Sequence, residues 1–182
     1  MVQVIGVEGS MNMPILFKRK QGFTLIELLV VMVLLSVLVA LVSGGYTSSS
    51  RRGRDNRRKN DLRNIATALE AYYSDKGVYP SNDANGQIIG CLALDLQPCA
   101  WGGEFKDKND TLYMVLMPRD PSSMLYRYYY VGATSSYKLY ARLENTQDAG
   151  NGVDQDGYSG TNCATSGTQE CTYGVSSPNT EP

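Results

Sequence analysis

The chain predicts an α+β fold: one long N-terminal α-helix, membrane-spanning in its first half, packed on a small antiparallel β-sheet head. Three observations predict it. Residues 23–42 form an unbroken apolar run of 20 residues with a single acid, Glu27. Leu62, Ile65, Ala66, Leu69, Tyr72 and Tyr73 recur at spacings of three and four, the period of a helix with one buried face. After Gly77 the chain turns to Gly- and Asn-rich loops, all four cysteines and short Tyr-rich stretches of alternating polarity, the pattern of strands.

The first element is the apolar run and what precedes it. Lys18, Arg19 and Lys20 lead through Gln21 to Gly22, and Phe23 opens the run. An ordinary secretory signal carries its small-residue cleavage site beyond the apolar segment. Here the small residue stands before it, so processing between Gly22 and Phe23 would leave the run on the mature chain. Val2 to Phe17 is mildly apolar, and Met11 or Met13 could be the true start. Residues 1–22 are therefore a leader and stand outside the fold. Twenty helical residues rise about 30 Å, the thickness of a bilayer's hydrocarbon core. A charge deep in such a segment costs roughly 2.5–3.5 kcal/mol on insertion scales, so Glu27 needs a reason. The local reason is its place near the helix start, where the macrodipole favours an anion and the headgroups are within snorkelling reach.

The helix is expected to run over 23–76, with Gly44-Gly45 interrupting it, since each Gly costs about 1 kcal/mol relative to Ala. A basic collar follows over 51–63. Arg51, Arg52, Arg54, Arg57, Arg58, Lys59 and Arg63 face only Asp55 and Asp61 there. Residues 64–182 reverse the balance with an excess of acids, so a net charge of −1 hides a basic collar beneath an acidic head. The apolar stripe at 62–73 is the face that packs on the sheet.

The head spans 77–182. Gly77 and Pro80 end the helix. Residues 81–124 show no long period. Leu125 to Val131 and Tyr137 to Glu144 form a hairpin across 132–136, with Tyr137, Leu139, Ala141 and Leu143 facing one way and Lys138, Tyr140, Arg142 and Glu144 the other. Thr172 to Val175 adds a third strand. The tyrosines around 126–140 suit either a base- or sugar-stacking surface or plain sheet propensity, and propensity is the simpler reason.

Cys91, Cys99, Cys163 and Cys171 fall in two pairs with seven residues between partners. Even numbers in a small loop-rich domain suggest disulfides and an oxidising compartment. Of three possible pairings, proximity selects Cys91–Cys99 and Cys163–Cys171. A zinc site competes, but the chain has no His and no Cys-x-x-Cys. The cysteines place the head outside the cell membrane, against the positive-inside rule, which reads the collar as the cytoplasmic flank.

Gly22-Phe23-Thr24-Leu25-Ile26-Glu27 closely resembles the class III signal of type IV pilins and of the pseudopilins of type II secretion. Tyr72 to Pro80, Leu116 to Pro121 and the Tyr-rich strand look like the major pseudopilin and its pilin relatives, so the resemblance covers roughly residues 18–145. It implies a type IV pilin-like fold and cleavage before Phe23 with N-methylation of its new amine. It also implies a subunit held single-pass in the bacterial inner membrane, then assembled into a homo-oligomeric helical filament. The implied partners are the prepilin peptidase/methyltransferase, an assembly ATPase, a membrane platform protein and the lipid bilayer. Glu27 of one subunit would attract the Phe23 amine of another, which makes the pair a docking register. Many type IV pilins carry a proline near Gly44-Gly45, and this chain does not.

The resemblance also implies calcium in a loop after the sheet. Asp148, Asp154 and Asp156 are the candidates, although an EF-hand frame ending there would start on Gly152 and finish on Cys163, losing both defining acids. A solvated Gly/Asn/Asp turn explains the same residues. No other cofactor is implied. Without His there is no Ser-His or Cys-His pair, and disulfides leave no free thiol, so the chain reads as no enzyme. Two other functions fit the composition: a tethered adhesion module, and a minor competence pilin that takes up DNA through the collar. The collar's place beside the stalk, where assembly would bury it against acidic heads, argues against nucleic acid.

Overall fold

The computed structural model describes residues 22–91 and 97–182, except the side chains of 41–46, and divides into two units, Met1–Gly44 and Gly45–Pro182. Apart from Gly22, the leader lies outside the described residues, including Lys18, Arg19, Lys20 and the alternative starts.

In the first unit residues 22–24 are non-helical and α1 (Leu25–Lys76) then begins. The apolar side chains of its first part find nothing to pack on among the described residues. Those from Leu25 to Val39 are 49–88% exposed, on every face of the helix. Among the described residues no helix is long and apolar enough to cross a membrane; the last two residues of the apolar run, 41 and 42, fall where side chains are not described. The expected interruption at Gly44-Gly45 is absent: α1 is one element of 52 residues and runs through the pair. Helix propagation adds one hydrogen bond per residue, which outweighs the modest cost of two glycines.

In the second unit, α1 supplies one layer. Leu62, Ile65, Ala68 and Leu69 are buried, with Ala66, Tyr72 and Tyr73 packed at the margin. Gly77 ends the helix with φ of 72°, a left-handed turn that only a residue without Cβ takes freely, and its N–H donates to the Tyr73 carbonyl at 2.7 Å.

The other layer is an antiparallel sheet in the order β3-β4-β6-β5. Its strands are β3 (Tyr129–Gly132), β4 (Tyr137–Ala141), β5 (Val153–Tyr158) and β6 (Cys171–Ser176). A separate two-stranded piece, β1 (Phe105–Lys106) and β2 (Leu112–Met114), lies within the stretch read as irregular. Strands of two and three residues leave no period in a sequence.

The hairpin is shorter than expected at both outer ends. Leu125 N and Tyr126 N both donate to the Ser122 carbonyl, so that segment turns instead of extending. Beyond Ala141, the Leu143 N–H finds the Thr172 hydroxyl at 2.9 Å in place of a ladder carbonyl. β5 is the larger correction. The Gly/Asn/Asp stretch is a turn only as far as Gly152 and then an edge strand on β6.

Alternation holds on the helix-facing side of β4, where Tyr137, Leu139, Ala141 and Leu143 are all buried. On the opposite side Tyr140 is buried as well, 4.9 Å from the Tyr158 ring and clustered with Cys163 and Cys171. The sheet thus has a small second core, built around a disulfide.

Candidate functional site

The first candidate site is the helix start. Gly22 and Phe23 are exposed and non-helical, Phe23 by 82%, so no described residue covers their peptide bond. Thr24 and Glu27 cap the helix reciprocally. Glu27 N donates to Thr24 Oγ1 at 3.3 Å, while the Glu27 carboxylate accepts from Thr24 N and Oγ1, each at 3.4 Å. Thr-x-x-Glu is a capping box, and it satisfies two helix-end donors that would otherwise be orphaned. Glu27 therefore has a function within its own subunit. The motif stands in plain view at 24–27, although Thr24 was not among the expected site residues.

The second is the collar, which behaves unlike a charged surface. Arg58 is fully buried. Its Nε and Nη2 donate to both oxygens of Asp120 at 2.8 and 2.9 Å, and its Nη1 donates to Asp55 at 2.8 Å and meets Glu144 at 2.9 Å. Arg54 donates to both oxygens of Glu144. Asp55 in turn accepts the backbone N–H groups of Glu144 and Asn145, each at 2.9 Å. This node ties the helix to the end of β4 and to the 117–123 segment.

A buried charge is tolerated only when it is paired and its remaining donors are bonded, and here each partner carries further bonds. Burial lowers the Arg58 pKa, and its bonds to Asp120, Glu144 and Asp55 more than compensate, so the net shift is upward. The Arg54 hydrogen bond, opposed by burial and aided by Arg58, holds Glu144 down at about 2. Lys59 meets Asp148 at 2.7 Å and Arg57 reaches Asp61 at 3.8 Å. Of the collar bases, Arg51, Arg52 and Arg63 are exposed and meet no acidic partner among the described residues.

This corrects the expectation of a solvent-facing collar that neighbouring heads would bury. The head of the same chain neutralises its centre. It also removes much of the phosphate-binding surface that DNA uptake would need.

The stacking surface fares no better. Tyr128, Tyr130, Tyr137, Tyr140 and Tyr173 are buried, and Tyr128 spends its hydroxyl on Asp61 at 2.7 Å. Cys91–Cys99 and Cys163–Cys171 are disulfide-bonded, each with Cα atoms 5.2 Å apart.

The calcium candidates are not brought together. Asp148 lies in the turn after β4 and is bonded to Lys59, whereas Asp154 and Asp156 lie on β5, where Asp154 Oδ1 accepts the Asp156 N–H at 3.0 Å. Among the described residues no group of three acidic or sulfur side chains is gathered closely enough to hold a metal ion.

Comparison with known proteins gives two family matches that follow each other along the chain. The prokaryotic N-terminal methylation motif matches residues 17–43, and type II secretion system (T2SS), protein G, matches residues 46–159. The type II secretion system core protein G of Pseudomonas aeruginosa is 32% identical over 139 residues, covering 76% of this chain and 94% of its own. That of Vibrio cholerae is 26% identical over 139 residues, covering 76% and 90%. A shorter match is the type IV major pilin protein PilA of Myxococcus xanthus, 31% identical over 61 residues, 34% of this chain and 28% of its own. No solved structure matches the chain. The first match takes in the exposed apolar segment with its capped start, the second takes in the collar and most of the sheet, and together they place the chain in the type II secretion system protein G family.

Proposed function

We propose that this structural subunit serves the pseudopilus of a type II secretion system rather than a type IV pilus. It waits in the cytoplasmic membrane on residues 23–42 with its head outside, is cleaved between Gly22 and Phe23, is methylated on Phe23, and is packed helix to helix into a filament. The observation that carries this reading is the segment from Leu25 to Val39. A helix that is apolar on every face and buries none of them among the described residues calls for lipid or other helices around it. A subunit that passes from bilayer to filament meets both in turn.

Two protein G relatives span three quarters of the chain, against about a third for the pilin PilA, which favours the pseudopilus. Two disulfides support a head in an oxidising compartment. The chain acts as the substrate of a peptidase and methyltransferase and as cargo of an assembly ATPase and platform protein, with no chemistry of its own.

Glu27→Leu tests the reading. The variant should be cleaved to a mature chain beginning at Phe23 and stay membrane-resident with a folded head, yet yield no sheared filaments. Gly22→Val should instead accumulate the uncleaved precursor. Filaments of ordinary yield from Glu27→Leu cells, or a mature chain beginning after residue 42, would overturn it.

A further inference from the structure

The region where the family resemblance implies a bound calcium is built here around an ammonium group. The turn between β4 and β5 is fastened at two points to α1. At its start, the Asp55 carboxylate accepts the N–H groups of Glu144 and Asn145. Four residues along the helix, Lys59 reaches Asp148 Oδ2 at 2.7 Å, with Nζ 5.4 Å from the centre of the Tyr173 ring of β6. Both positions face the same side of α1, since residues four apart lie one helical turn above each other.

Asp154 and Asp156 stand on β5 and form no metal-holding group with Asp148 among the described residues, and the Asp148 oxygens are already engaged. Asp148 Oδ2 is bonded to Lys59, Asp148 Oδ1 accepts Gly150 N at 3.1 Å, and the Asp148 carbonyl accepts the Gln155 amide. A cleft of about 230 Å³ beside the turn is lined by Arg52, Asp55, Asn56, Asn145 and Asp148. It offers a second carboxylate, but both Asp55 oxygens are spent on Arg58, Glu144 and Asn145. Calcium takes six to eight oxygen ligands, several of them free carboxylates. Arg52 and Lys59 would repel it from the same cleft. The residues present do not fit the ion.

We propose that Lys59 is a built-in cation that replaces calcium in this subunit, so that the β4–β5 turn is locked to the helix by the chain itself. A tethered ammonium does the electrostatic work of the metal: it neutralises Asp148 and closes the turn onto Tyr173. It does so without dependence on the calcium level of the compartment. The consequence for the filament is that subunit shape in this chain is independent of calcium supply.

The test uses the full chain in detergent micelles and does not depend on filament formation, so its failure is distinguishable from failure of the pseudopilin reading. Thermal unfolding of the wild type should be unmoved by EGTA or by millimolar calcium. Lys59→Met should lower Tm by about 1–4 °C and speed amide exchange at 145–151, with calcium restoring neither. Lys59→Arg, which keeps the charge, should recover most of the loss. A wild type whose Tm falls in EGTA and returns with calcium would overturn the proposal. So would a Lys59→Met chain with unchanged Tm and unchanged exchange in the turn.

Discussion

Two stretches of the same helix handle charge and apolarity in opposite ways. From Leu25 to Val39 the side chains are apolar and exposed; from Asp55 to Leu69 the inward face buries aliphatic residues and, among them, a fully buried arginine. A strongly apolar stretch stays exposed among the described residues while an arginine is sealed inside. The difference teaches that the helix has two kinds of partner. The second stretch was shaped against its own head, whose acids Asp120 and Glu144 are positioned to receive Arg58. The first finds no cover among the described residues.

The largest expected effect breaks the second stretch. Arg58→Met leaves Asp55, Asp120 and Glu144 facing one another without their shared cation. Removing one partner of a buried ion cluster costs about 3–5 kcal/mol. Urea unfolding of the head should show that loss, whereas helix content in the apolar stretch should be unaffected. A loss below 1 kcal/mol would mean that the node is only a hydrated surface pair.

Next comes the second core. Replacing Cys163 and Cys171 together by Ser opens a short loop and should cost about 2–3 kcal/mol by the chain-entropy estimate. Tyr140 should become more exposed, readable as quenching of its fluorescence or as faster exchange in β4.

The pH dependence sharpens the same contrast. Arg54 and Arg58 hold the Glu144 pKa down at about 2 against an ordinary 4.5. A depressed carboxylate contributes stability that is complete above its unfolded pKa and is lost as pH falls through its folded one. The head should therefore hold its stability down to about pH 4.5 and lose it progressively toward about pH 2. Glu144→Gln should unfold more easily at neutral pH and show a flatter acid limb. An acid limb unchanged by the substitution would remove Glu144 from the account.

The smallest effects lie at the edges. Thr24→Ala removes half of the capping box and should cost about 1 kcal/mol or less, seen as faster exchange over the first turn of α1 and not as head unfolding. Arg57→Ala, one residue from Arg58, should change head stability by under about 0.5 kcal/mol, because its side chain is 65% exposed and its contact with Asp61 is long. A large cost for Arg57→Ala would erase the distinction between the buried and exposed faces of the collar.

The apolar run, the acid at 27 and the buried stripe from Leu62 to Leu69 are legible in the sequence because each rests on neighbours within a turn or two. The cysteine pairing is legible for the same reason, its partners being eight residues apart. The capping box is equally local and could have been read from Thr24 and Glu27 alone. β5 is hidden because an edge strand of Asp, Gln and Gly carries no apolar alternation and exists only through its pairing with β6. Tyr140 on the outer face of β4 is hidden because its cover, Tyr158 and the Cys163–Cys171 bridge, arrives from later in the chain.

What the sequence by itself determined is a helix with an apolar start, followed by a disulfide-bonded sheet head; propensity, periodicity and proximity suffice for that. What only the tertiary structure decided is the fate of seven collar bases. Composition reads them as one positive patch, yet Arg58 meets Asp120 across 62 residues, Lys59 meets Asp148 across 89 and Arg54 meets Glu144 across 90. The physical reason is that a charge has no period. Whether it faces water or a buried carboxylate depends on which distant acid the packed core happens to carry to it, and that is settled by how the sheet lies against the helix.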